Sequence, residues 1–76
     1  MEEFDLAGRE FIELNKLMKL TGMCSSGGSA KMAIAEGEVT VDGQVELRKR
    51  CKIRPGQVVG FEGRQTAVIS STTGGE

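Results

Sequence analysis

Apolar positions in this chain recur at two different spacings, and the change from one to the other divides it. Leu14, Leu17, Met18 and Leu20 approximate an i, i+3, i+4 stripe, the period of an amphipathic helix. The stripe predicts two helical turns, with Lys16 and Lys19 off the apolar side and Gly22 placed to close the helix in a left-handed cap. A second helical stretch, Ala30-Lys31-Met32-Ala33-Ile34-Ala35-Glu36, follows Ser25-Ser26-Gly27-Gly28-Ser29. A serine ahead of such a stretch is an N-cap signal. Ala30, Ala33 and Ile34 form a narrow face of small side chains, which suits close packing on the first helix.

Past Gly37 the period drops to two. Val39 and Val41 alternate with Glu38 and Thr40, Asp42-Gly43 is a strong hairpin signal, and Val45 and Leu47 continue the alternation on the return. Pro55-Gly56 marks a turn, Val58-Val59-Gly60-Phe61 a further strand, Glu62-Gly63 a second hairpin, and Thr66-Ala67-Val68-Ile69 the last strand. A short strand is also expected near Glu10-Phe11-Ile12. Residues 1–9 and 70–76 read as flexible ends around a core spanning about residues 10–69. The expectation is one α+β domain over residues 1–76, with two packed helices against a small, mainly antiparallel sheet of four to five strands.

Composition narrows the function. The 76 residues include no histidine, two cysteines and no apolar run near 18 residues. A membrane span is therefore not expected, nor a disulfide framework, and no Ser/His/Asp set can be assembled. The acidic start at Met1-Glu2-Glu3-Phe4-Asp5 argues against a secretory signal, so a reducing cytoplasm is the expected compartment. No cofactor is implied. The net charge of −1 conceals a segregated distribution. Residues 1–15 carry −4, whereas residues 16–64 hold nine bases against five acids. Local potential steers a ligand more than the total charge does.

The densest signal is residues 48–54, Arg48-Lys49-Arg50-Cys51-Lys52-Ile53-Arg54, with five bases in seven residues. On a strand Arg48, Arg50 and Lys52 would share one face, a spacing suited to phosphates along a backbone. A charged edge strand that blocks sheet-to-sheet aggregation is the plainer alternative. Lys16 and Lys19 are either a solvated helix face or phosphate contacts. Gly27 and Gly28, at roughly 1 kcal/mol each relative to alanine, either ease packing or let the backbone approach a ligand at the helix N-terminus beside Ser26. Cys51 lies among cations that favour a thiolate, without a partner to complete a reactive site. With no Trp, no Tyr and three Phe, base stacking has few platforms, so contacts to phosphates and sugars of a folded RNA are the expected mode.

Leu14-Asn15, Gly22, Ser25-Ser26-Gly27, Ala30-Lys31, Ile34, Gly37, Val39, Val41 and Asp42-Gly43 fall into one ungapped pattern, and Pro55-Gly56-Gln57-Val58 follows it. This pattern resembles the RNA-binding domain of the S-four type, the αL motif named after a small-subunit ribosomal protein. The likeness covers about residues 12–62. Within it the chain is similar to small standalone bacterial proteins of YbcJ type, which share the Ser-Gly-x-x-Ala-Lys opening and the Arg-Lys-Arg-Cys-Lys run. The resemblance implies two helices on a small sheet and RNA held along the helix pair and neighbouring strand. Glu13 and Gly27 stand where the wider family commonly has arginine, and Asn15 replaces an aspartate. The resemblance therefore shifts the expected grip toward Lys31 and the basic run.

The expected partner is structured RNA, with ribosomal RNA one candidate, bound by a monomeric non-enzyme through Lys16, Lys19, Ser26, Gly27, Gly28, Lys31, Arg48, Lys49, Arg50, Lys52 and Arg54. A protein–protein adaptor using the same basic face is the alternative. A carrier activated at Gly74-Gly75 is a further one, weakened by the trailing Glu76 and the helical opening.

Overall fold

A computed structural model describes residues 1–71. The elements in chain order are β1 (Glu2–Asp5), β2 (Ile12–Glu13), α1 (Leu14–Leu20), α2 (Gly27–Ala35), β3 (Val39–Val41), β4 (Gln44–Val45), β5 (Lys52–Ile53), β6 (Val58–Phe61) and β7 (Arg64–Ile69). Five strands form one sheet in the order β1-β7-β6-β3-β4, and β2 and β5 form a separate antiparallel ribbon. Four pairings are antiparallel, two of them the hairpins expected at Asp42-Gly43 and Glu62-Gly63, while β1 lies parallel to β7 with Phe4 opposite Val68.

That parallel pair corrects the expectation of a loose N-terminal end. Leu6 is fully buried and its N–H donates to the Ile69 carbonyl at 2.8 Å. The Ser71 N–H donates to Asp5 Oδ1 at 3.0 Å. The pairing joins residues more than sixty positions apart, so no local pattern announces it. The Gly74-Gly75 motif lies outside the described residues.

The helices follow their sequence signals closely. Ser26 caps α2 by accepting from the Ser29 N–H at 3.1 Å, and Ser29 Oγ accepts from the Ser26 N–H at 3.3 Å. This reciprocal capping box satisfies two amides that the start of a helix leaves open. Gly22 and Gly37 both take φ 79° after their helices, where a β-carbon would be strained. Leu14, Leu17, Met18, Ala30, Ala33 and Ile34 are buried, joining the helix pair to Val39, Val59 and Val68 of the sheet. Full burial of a Leu or Ile contributes about 1.5–3 kcal/mol before entropy is charged against it.

Both hairpins have left-handed residues at the two central positions, Asp42 and Gly43 at φ 53° and 83°, Glu62 and Gly63 at φ 51° and 81°. This geometry matches the twist of the flanking strands. Asp42 offsets part of its strain by accepting from the Val58 N–H at 3.0 Å. Gly60 is dictated by close approach, because a β-carbon there would lie 2.7 Å from Thr40 Oγ1. The return strand is shorter than alternation predicted. Val45, on the edge strand of the sheet, and Leu47, beyond the strand's end, remain exposed.

Candidate nucleic-acid interface

The basic run is a turn, and the expectation that it forms a strand with Arg48, Arg50 and Lys52 on one face is corrected. The Cys51 N–H donates to the Arg48 carbonyl at 3.1 Å, and only Lys52 and Ile53 reach strand geometry. The cause lies in α1. Glu13 gives that helix no side-chain cap, so its first amides need other acceptors. The Leu14 N–H donates to the Cys51 carbonyl at 2.9 Å and the Asn15 N–H to the Lys49 carbonyl at 3.1 Å. The backbone of the basic turn thus caps the helix. Its side chains are left to solvent, with Lys49, Arg50 and Lys52 all exposed.

One of the five cations is already occupied. Arg48 Nε lies 2.9 Å from Glu46 Oε2 and its Nη2 3.2 Å from Oε1, a two-pronged pair. Hydrogen bonds from the Arg48 side chain and then its backbone N–H pull the Glu46 carboxyl down to about 2. Arg48 therefore braces the turn. Lys49, Arg50, Lys52 and Arg54 form no ion pair among the described residues. Arg48, Arg50, Cys51 and Lys52 line a shallow concavity of about 380 Å³. The Cys51 thiol is pushed up, by partial burial first and by the Glu46 charge second, against a weaker opposite effect of Arg48. The expectation that the surrounding cations favour its thiolate is thus overturned.

The remaining expected residues occupy two further places. Lys16 is exposed in the first turn of α1, directly after the residue whose amide meets the Lys49 carbonyl. Lys19 is exposed one turn on. Ser26, Gly27 and Gly28 start α2, and Lys31 is exposed four residues beyond Gly27, on the same side of the helix. A β-carbon at Gly27 would meet nothing within 4 Å, and one at Gly28 only Ser26 Oγ at 3.8 Å. Packing inside this chain therefore does not demand either glycine. Asn15 is buried, and its Oδ1 has no hydrogen-bond partner among the described residues.

Sequence reasoning missed Phe11. Its ring is partly exposed and outside the buried core, with Lys52 Nζ at 4.9 Å and Arg54 Cζ at 5.7 Å from its centroid. No local signal marks it, because it is the pairing of buried Ile12 with buried Ile53, 41 positions away, that turns their flanking neighbours outward.

A model of the S4 domain matches residues 4–69. YbcJ of Escherichia coli (strain K12), named as a candidate RNA-binding protein, is 51% identical over 70 residues, covering 92% of this chain and 100% of its own. RlbA of Bacillus subtilis (strain 168), named as a candidate ribosome maturation protein, is 39% identical over 54 residues, covering 71% of this chain and 76% of its own. The solution structure of Escherichia coli YbcJ, described as revealing an αL motif involved in RNA binding, superposes with a TM-score of 0.71 at 52% identity, covering 91% of this chain and 87% of that one. With the helix pair, the sheet and the motif residues in these positions, the chain belongs to the S4 domain family.

Proposed function

We propose that this protein binds structured RNA, with ribosomal RNA the leading candidate, through phosphate contacts and without catalysing a reaction. One observation carries the reading: Lys49, Arg50, Lys52 and Arg54 form no ion pair among the described residues and are presented by a segment whose backbone is hydrogen-bonded to α1. Unpaired cations this close repel one another, and a polyanion relieves that repulsion. Lys16 adds to this face, with Lys19 beyond it, while Ser26, Gly27, Gly28 and Lys31 supply a second contact area along α2. Arg48 acts mainly by shaping the turn. The names of the Escherichia coli and Bacillus subtilis relatives support RNA and ribosome maturation as the setting. We expect a cytoplasmic monomer; no helix among the described residues is long and apolar enough to cross a membrane.

Filter or fluorescence titration with ribosomal RNA fragments across a salt series tests the reading. With about four or five phosphates neutralised, log affinity falls against log salt with a slope of roughly −3 to −4. Binding that is weak and insensitive to salt refutes it.

A further inference from the structure

Phe11 is one of only three aromatic residues in the chain. Phe61 is buried and Phe4 packs against the core, whereas Phe11 sits outside that core. The register of the β2–β5 ribbon explains where it goes. Ile12 lies opposite Ile53 and both are buried, so Phe11 and Arg54, the next residues out along each strand, turn to the other side. Glu13, opposite Lys52 in the same ribbon, forms no ion pair with that lysine among the described residues. The Arg54 N–H donates to Gln57 Oε1 at 2.8 Å, and Gln57 donates its own N–H to the Arg54 carbonyl at 3.2 Å, which holds the arginine backbone at the ribbon's end.

An aromatic ring left outside the core with two cations set over it combines two elements of single-strand recognition. Bases of any identity stack on a ring or a guanidinium plane, and the adjacent charges hold the connecting phosphates. We propose that Phe11 with Arg54 and Lys52 forms a platform for one unpaired nucleobase of the bound RNA. The base stacks against the Phe11–Arg54 surface, and the basic turn holds the phosphates on either side. The protein would then select helical RNA interrupted by a bulge, loop or end over uninterrupted duplex. This rests on the RNA-binding reading above and sharpens it, because phosphate contacts alone carry no such preference.

The chain has no tryptophan, so Phe11→Trp installs a single fluorescent reporter at the platform. Two RNAs of equal length and charge serve as probes, a blunt duplex and the same duplex with one bulged nucleotide. The native protein is expected to prefer the bulged RNA by about tenfold, the lower range of one stacked base. In Phe11→Leu, checked for folding by circular dichroism, that preference falls to near unity. In Phe11→Trp the preference persists, and the indole emission is quenched by the bulged RNA well beyond the blunt one. Equal affinity of the native protein for both RNAs, or an unchanged preference in Phe11→Leu, overturns the platform while leaving phosphate binding intact. Salt-insensitive, weak binding to both RNAs overturns the underlying reading as well.

Discussion

Two charged regions of this small protein are built on the same principle with opposite sign. On one, Lys49, Arg50, Lys52 and Arg54 crowd a turn with no ion-pair partner among the described residues. On the other, Glu36, Glu38 and Glu62 line a shallow groove of about 350 Å³ together with Met23, Met32 and Phe61. Partial desolvation, followed by the charges of Glu36 and Glu62, raises the Glu38 carboxyl above its ordinary value. The basic group tolerates crowding because its backbone is committed elsewhere, with two carbonyls capping α1. A net charge of −1 is the sum of two fields that a polyanion would feel separately. On the proposed reading, an acidic groove disfavours phosphate contacts there and leaves them to the basic turn.

The contrast breaks most severely if the basic turn loses its anchor. Ile53 is fully buried beneath it, and Ile53→Ala is expected to cost about 2–5 kcal/mol, measured by urea denaturation. A surviving fold with unchanged stability would show that the turn is held by its backbone hydrogen bonds alone. Next in size is the joint replacement of Lys49, Arg50 and Lys52 by alanine. Affinity for RNA should fall about 100-fold at moderate salt, with the salt slope reduced by roughly 2 to 3. An equal effect from replacing Lys16, Lys19 and Lys31 would move the main grip to the helices.

Smaller effects sharpen the comparison. Ser26→Ala removes the capping box at the start of α2 and should cost about 1 kcal/mol in the same denaturation assay. Glu46→Gln breaks the brace on Arg48, whose side chain is 77% exposed, so the loss should stay below about 1 kcal/mol at neutral pH. The Glu46 carboxyl is lowered from 4.5 to about 2 in the folded protein. Its stabilisation is thus present above pH 4.5 and is lost as pH falls through about 2, where the variant and native proteins should converge. Glu38→Gln works in the other direction. A carboxyl raised by folding favours the folded state at low pH and opposes it as pH climbs through its folded value. The variant should be slightly more stable than the native protein at pH 7, and equal to it in acid where Glu38 is protonated in both states.

Local chemistry made much of this fold readable. The stripe from Leu14 to Leu20, the serines before Ala30, the glycines at 22 and 37 and the two X-Gly hairpins each act within a few residues. Their structures match because caps and turns are set by φ preferences and by amides one turn away. The basic run was legible as a cluster but not as a shape. Five cations in seven residues can line a strand or tip a turn, and the choice depends on α1 lacking a side-chain cap at Glu13. Likewise, nothing in the string of charges distinguishes Arg48, tied to Glu46, from Arg50, which has no ion-pair partner among the described residues.

By itself, then, the sequence determined two glycine-closed helices, the serine cap of the second, two tight hairpins, a family pattern and a concentration of positive charge, all products of neighbours acting on neighbours. Tertiary structure decided the rest: the parallel pairing of β1 with β7, the ribbon that turns Phe11 outward, and the docking of the basic turn on α1. Those features rest on hydrogen bonds and burial between distant segments. Their partners become neighbours only when the chain has folded.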